Sequence, residues 1–260
     1  LERPSSARRS EQTMLQTLQV IIPMSGSGAR FAEAGYKEPK PLIKAAGRPF
    51  ITHLIERFPA DTRWVFVARE DHLESAGLRD LLEAEVPTPH IVAIPAHKLG
   101  PVHAVMQAEA VIDPTLPTVV NYCDFSFEWD VNHFRRWAER LAPDGAVVCY
   151  RGFHPHHQGD SRYAYCRTDA FGVIAEVQEK EAFTERPTEE WASTGTYYFK
   201  TGQLAVDRAR DHIANDRRVN GEFYVSLVMD DMVRQGEQVL VYEVDRFCQW
   251  GTPQDLEDWE

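Results

Sequence analysis

Near the start of the 260-residue chain, an apolar run at positions 18–23 gives way abruptly to Met24-Ser-Gly-Ser-Gly28. Apolar, β-branched residues without polar alternation predict a strand buried on both faces. Gly26 and Gly28 directly after it let the backbone turn with positive φ and lie close against a bulky anion. Cations follow: Arg30, then Lys40 between Pro39 and Pro41, whose rings fix the backbone on both sides of the lysine. The loop lacks the third glycine of a dinucleotide fingerprint and the G-K-[ST] closure of a Walker loop. A strand of this kind running into an anion-gripping loop points to a sheet that delivers ligand-binding loops from the carboxyl ends of its strands.

The rest of the first half supports that expectation. Strand patterns at 64–68, 91–94, 119–122 and 146–150 alternate with helical patterns at 50–57, 71–85, 102–110 and 131–141. The predicted fold class is therefore α/β, a doubly wound, mixed and mostly parallel sheet. Beyond Arg151 short strands at 163–167, 173–177 and 196–199 follow one another without helices, which predicts an antiparallel or mixed section. Helices at 203–215 and 224–235, a strand at 239–244 and a helix from Pro253 close the chain, with polar loops at 154–162 and 181–190. Residues 15–150, which carry the anion-gripping loop, and 151–260 are expected to form the two halves of one domain. Residues 1–14 are polar and are expected to be a disordered leader, a tag remnant or a linker. The Leu1 start and Glu260 end suggest one domain of a longer, bifunctional protein, and a homo-oligomer is a second expectation.

Composition narrows the ligand. Net charge is −12, yet the segment 19–50 holds five cations and two anions. An acidic chain with one basic opening segment suits a small polyanion in a focused cleft and argues against nucleic acid. No apolar run approaches the ~20 residues that cross a bilayer, so no membrane insertion is expected. Cys123, Cys149, Cys166 and Cys248 lack C-x-x-C spacing, and free thiols of a reducing cytoplasm are the expected state.

The spacing G-x-G-x-R-F followed by P-K-P-L-I at 39–43 resembles the nucleotide-binding signature of the sugar-phosphate nucleotidyltransferases, whose fold is GT-A-like. The resemblance is sharp over 22–43 and looser to about Asp258. It implies that Arg30 and Lys40 are the catalytic cations on the triphosphate of an NTP, stabilising charge at the α-phosphate. It also implies that Met24, Ser25, Gly26, Ser27 and Gly28 embrace phosphates and base. Asn121, at the end of a buried strand, and Gly100, in Leu99-Gly-Pro-Val-His-Ala104, are further nucleotide contacts expected on this reading; a helix turn with proline at its first position explains Gly100 equally well.

Asp124 ends the strand with Asn121 and suits Mg²⁺, which takes one or two carboxylates plus phosphate oxygens. Related enzymes often place a second aspartate where this chain has Gln249, which leaves three expectations: Gln249 makes a weaker contact, Asp245 moves in, or Asp124 and the phosphates hold the metal alone. Glu176-Val-Gln-Glu179-Lys180 resembles the acceptor strand end of the family, giving Glu179 to acceptor hydroxyls and Lys180 to its phosphate. Gly195 is expected to let the acceptor approach. His154, His156 and Arg162 are expected to line the acceptor pocket, since no zinc-like spacing accompanies the histidines.

The expected enzyme is a Mg²⁺-dependent nucleotidyltransferase joining an NTP to a phosphorylated small molecule, most commonly a sugar-1-phosphate, for capsule or surface-glycan synthesis. Three alternatives stay open: a cytidylyltransferase for a non-sugar phosphate, a nucleotide-sugar-dependent glycosyltransferase, and a non-catalytic nucleotide-binding subunit. The glycosyltransferase would want a D-x-D motif, and Asp124-Phe-Ser126 lacks the second aspartate.

Overall fold

The computed structural model describes residues 15–75, 77–152 and 163–260. In chain order the elements are β1 (Gln19–Met24), α1 (Ala29–Glu33), β2 (Lys44–Ala45), β3 (Arg48–Pro49), α2 (Phe50–Ile55), β4 (Arg63–Arg69), α3 (Glu70–Ser75), α4 (Leu78–Glu85), β5 (His90–Ile94), α5 (Pro101–Gln107) and β6 (Thr118–Asn121). There follow β7 (Phe125–Glu128), α6 (Val131–Leu141), β8 (Gly145–Tyr150), β9 (Ala164–Thr168), β10 (Ile174–Glu179), β11 (Trp191–Phe199), α7 (Gly202–Ala214), α8 (Val225–Arg234), β12 (Val239–Glu243), β13 (Arg246–Gln249) and α9 (Pro253–Trp259).

Nine strands form one sheet in the order β10-β9-β11-β6-β1-β4-β5, with β8 beside β11 and β12 beside β8. The pairings β1 with β4 and β6, β4 with β5, and β8 with β12 are parallel. β11 runs against β6, β8 and β9, and β10 runs against β9. Only β10 and β11 therefore oppose the common direction, and the fold is the expected α/β class with a mostly parallel sheet. Val20, Ile21 and Ile22 are fully buried. Alternate residues of β1 enter different clusters, Val20 and Ile22 with Phe66 and Phe134, Ile21 with Val105 and Met229. Helices on both faces thus cover the central strands.

Several boundaries differ from expectation. The helix predicted over 71–85 is two, because Gly77 takes a left-handed conformation (φ 72°) immediately before α4. The pattern at 102–110 ends α5 at Gln107 and continues as a short 3₁₀ turn, Glu109–Val111. β11 starts at Trp191, five residues before the predicted strand. The loop 181–190 is stitched by Glu190, whose carboxylate accepts from the Phe183 and Thr184 amides at 2.8 and 2.7 Å. The loop predicted at 154–162 lies outside the described residues.

The length of β11 sets the position of the later strands. Its last four residues pair with β6, while Trp191 and Ala192 pair with β9. The β9–β10 hairpin therefore extends beyond the end of β6, and Glu179, opposite Ala164, sits at its open end on the β6 carboxyl side. A separate ribbon of β7 and β13, Phe125 opposite Gln249, lies over the same end. A third cluster of Phe31, Ile43, Phe50, Trp250 and Leu256 ties the opening segment to the C-terminal one, with the Phe50 and Trp250 rings stacked at 5.0 Å.

Candidate active site

The loop after β1 holds its shape through its own chain. Gly28 is left-handed (φ 61°), and its carbonyl accepts from the Phe31 and Ala32 amides at 3.0 and 3.1 Å, starting α1. Arg30 is exposed on that turn, while Phe31 is buried in the third cluster and anchors it. Pro39 and Pro41 flank Lys40, the first residue of a 3₁₀ turn, Lys40–Leu42, which aims Lys40 across the site. Its Nζ donates to Asp124 Oδ2 at 2.6 Å and to the Gly251 carbonyl at 3.2 Å, lying 5.7 Å from the Phe31 ring centre. Two residues 84 positions apart, each singled out from sequence, thus form one partly exposed ion pair.

Gln249 approaches the same place from β13. A methyl group added at Gly251 would lie 3.6 Å from Asp124 Oδ2, 3.6 Å from Asp255 Oδ2 and 2.9 Å from Gln249 Nε2, so glycine keeps this convergence open. Gln249 Nε2 donates to Asp255 Oδ2 at 3.2 Å, whereas its buried Oε1 has no partner. Asp245 is not brought here: it is exposed in the turn between β12 and β13, four residues and about 13 Å of strand from Gln249. Among the described residues no three His, Cys, Asp or Glu side chains form a metal cluster. Cys123 beside Asp124 is inert, because burial and the neighbouring carboxylate push its thiol up to about 12.

Three expected ligand contacts are occupied by the protein itself. Asn121 is fully buried; its Nδ2 donates to the Tyr122 carbonyl at 2.7 Å and its Oδ1 accepts from Thr196 Oγ1 at 2.6 Å. It pins β6 to β11 rather than facing a nucleotide. Gly195 (φ 85°) turns its Cα toward the protein, where an added Cβ would meet Phe125 Cε1 at 2.7 Å and Tyr122 Cδ2 at 3.0 Å. Gly100 (φ 86°) packs on the Glu222-Phe223 backbone, where a Cβ would come within 2.7 Å of Phe223 N and O. The Phe223 amide donates to the Leu99 carbonyl at 2.9 Å, so the loop after β5 and the start of α8 are one unit.

That unit supplies residues sequence reasoning missed. Lys180, in the left-handed region (φ 62°), donates its Nζ to Tyr224 Oη and lies 4.3 Å from that ring's centre. Burial raises the Tyr224 hydroxyl pKa, Glu222 and Glu179 add to it and the Arg30 charge counters it. Glu179 accepts from Ser226 Oγ. Its desolvation raises its pKa, opposed by Ser226 and Lys180. The signal for Tyr224 lies in Asn220-Gly-Glu-Phe-Tyr224, a motif that capping and core packing at a helix start explain equally well. His154, His156 and Arg162 lie outside the described residues.

The strand order, the loops gathered at the β6 end and the ion pair define an α/β protein with its candidate site at the carboxyl end of the parallel strands. The chain belongs to the Nucleotidyl transferase family, whose model matches residues 19–258. It is 28% identical over 230 residues to the "Bifunctional protein GlmU" of Burkholderia ambifaria and 26% identical over 232 residues to that of Burkholderia mallei. The match takes in 88% of this chain and 47% of each relative, so the chain spans about half their length. In fold it is similar to a nucleoside-diphosphate-sugar pyrophosphorylase from Vibrio cholerae (TM-score 0.74, 19% identity, 92% of this chain and 98% of that one). A UDP-glucose pyrophosphorylase complexed with UDP-glucose gives TM-score 0.72 at 16% identity, covering 94% and 97%.

Proposed function

We propose that this chain transfers a nucleotidyl group from an NTP to a phosphorylated small molecule, a sugar-1-phosphate foremost, releasing pyrophosphate. The observation that carries the reading is the Lys40–Asp124 pair at 2.6 Å, which joins the opening segment to the end of β6. An acceptor phosphate oxygen attacks the α-phosphorus, the new P–O bond forms as the α–β bridging bond breaks, and the pyrophosphate departs with the electron pair. A phosphate monoester is already anionic at neutral pH, so no general base is required. The work left to the protein is positioning and charge stabilisation. Arg30 and Lys40 supply it on the donor side, and Lys180, held by Tyr224, receives the acceptor phosphate. Glu179 accepts from acceptor hydroxyls, and the loop from Met24 to Gly28 holds the nucleotide.

The donor set fits Mg²⁺: Asp124 offers a carboxylate and Gln249, whose amide converges with it beside Gly251, has a buried Oε1 without a partner, and both are hard oxygen ligands. When bound, the cation neutralises phosphate charge. With two protein oxygens only, phosphate and water would complete its shell. Asp245 has no part in this proposal. The surface-glycan setting belongs to the same proposal and is supported by the family likeness alone.

The test is pyrophosphate release from each of four NTPs against a panel of sugar-1-phosphates and non-sugar phosphate monoesters. One NTP and one sugar-1-phosphate should give acceptor-dependent release with a matching nucleoside diphospho-conjugate. Release that is acceptor-independent, or confined to non-sugar phosphates, contradicts the sugar assignment.

A further inference from the structure

The loop after β1 is tied to the loop after β5 by a bond that nucleotide gripping does not by itself require. His97 Nε2 lies 2.8 Å from Ser25 Oγ, and its Nδ1 accepts from the Leu99 amide at 3.1 Å. A backbone N–H cannot bond a protonated nitrogen, so Nδ1 carries no proton. Burial and the adjacent His103 ring, centred 4.7 Å away, hold the His97 pKa below the ordinary histidine value. The ring is therefore neutral near pH 7, with its proton on Nε2 and Ser25 Oγ as the acceptor.

The direction of that bond has a consequence for Ser25. One lone pair of its oxygen is engaged, and its own proton has no acceptor among the described residues. Ser25 is 3% exposed and lies in the loop after β1, so a nearly buried hydroxyl donor is left without a partner beside the segment that grips the ligand. The neighbours cannot readily shift, because Leu99 is fixed to Phe223 by the bond described above.

We propose that Ser25 is a specificity-determining residue that donates a hydrogen bond to an acceptor atom of the nucleobase, and that His97 is the positioning residue that fixes the hydroxyl in that role. This rests on the nucleotidyl-transfer reading and adds to it a side-chain contact with the base. The phosphates are left to Arg30 and Lys40, so base and phosphate recognition are separable.

Calorimetric binding of α,β-methylene analogues of UTP, CTP, GTP and ATP, and of inorganic tripolyphosphate, tests it on the full chain and on Ser25→Ala, His97→Leu and His97→Gln. Ser25→Ala and His97→Leu should lose about 10-fold or more in affinity for the best nucleotide while binding tripolyphosphate within about two-fold of the parent. Gln can accept from Leu99 and donate to Ser25, so His97→Gln should stay within about three-fold. Unchanged nucleotide affinity, or equal losses for nucleotide and tripolyphosphate, overturns the assignment. A parent chain that binds tripolyphosphate but no nucleotide also overturns it, whereas a chain that binds neither contradicts the nucleotidyl-transfer reading itself. Should the variants fail to fold, imidazole ¹⁵N spectra of the parent decide. The neutral Nε2–H tautomer of His97 is expected, and an Nδ1–H tautomer or a cation at pH 7 overturns the proposal.

Discussion

Lys40 has one ammonium and two partners, Asp124 Oδ2 and the Gly251 carbonyl, so its removal leaves the fold's apolar clusters untouched. Lys40→Ala should lower kcat by about 10²-fold or more, the cost of one charged stabiliser of the transition state, with the thermal midpoint changed little. Activity within a few-fold of the parent would remove Lys40 from the mechanism. Gly195→Ala is the opposite case. Strain at φ 85° and a contact 2.7 Å from the Phe125 ring should cost about 2–4 kcal/mol in denaturant unfolding. A neutral outcome would mean the two rings move aside freely. These residues also mark what a sequence can tell. Lys40 was legible because two prolines and a fixed distance from the glycine loop constrain its backbone. Gly195, Gly100 and Asn121 are less legible, because a missing Cβ, or a polar side chain at a strand end, signals close approach without saying whether a ligand or the chain itself approaches. Tyr224 was hidden by a motif that also explains a helix start.

At the scale of elements, the β9–β10 hairpin carries Glu179 and is held from α8. Buried Asp230 accepts from the Val177 amide at 2.9 Å and from Arg217 and Arg234 at 2.6 and 2.7 Å. Asp230→Ala leaves a buried amide unpaired, frees Arg234 and leaves Arg217 with Asp231 alone, which should cost about 2–4 kcal/mol. It should also raise the acceptor KM more than the NTP KM, since β10 ends at Glu179. An equal rise in both would detach the hairpin from the acceptor. Glu179 itself gives a pH signature. Its folded pKa is raised by desolvation, so its ionisation opposes folding. The protonated carboxyl contributes stability that is complete below the unfolded pKa and is lost as pH rises through the folded one. Glu179→Gln should therefore be more stable than the parent at pH 7, with the gain vanishing in acid, while acceptor turnover falls. Unfolding midpoints across pH, compared for the two proteins, check the sign. The helices and the buried central strands were legible because their apolar runs have one period over enough residues. β7 and β13 were not, at four residues each, and they are held by pairing with each other.

The whole molecule is an acidic body with a basic opening segment set where seven co-directed strands deliver their loops. Surface fields of this kind are screened within roughly 8 Å at physiological ionic strength, so the NTP KM should rise as salt is added while kcat changes less. A flat KM would mean that contact hydrogen bonds, and not the field, hold the donor. The donor half of the site was legible because its residues lie close in sequence, between Met24 and Lys40. The acceptor half was legible only in part, because β11, the β9–β10 hairpin and the start of α8 meet there by long-range pairing that no local pattern states. The central claim is that the α-phosphoryl carries the nucleoside to the acceptor. Single-turnover reactions with NTP labelled at the α- or γ-phosphate test it most directly. The account predicts α-label only in an acceptor-dependent conjugate and γ-label only in pyrophosphate. Label from the γ-position in the acceptor, or α-label leaving without acceptor, would contradict it.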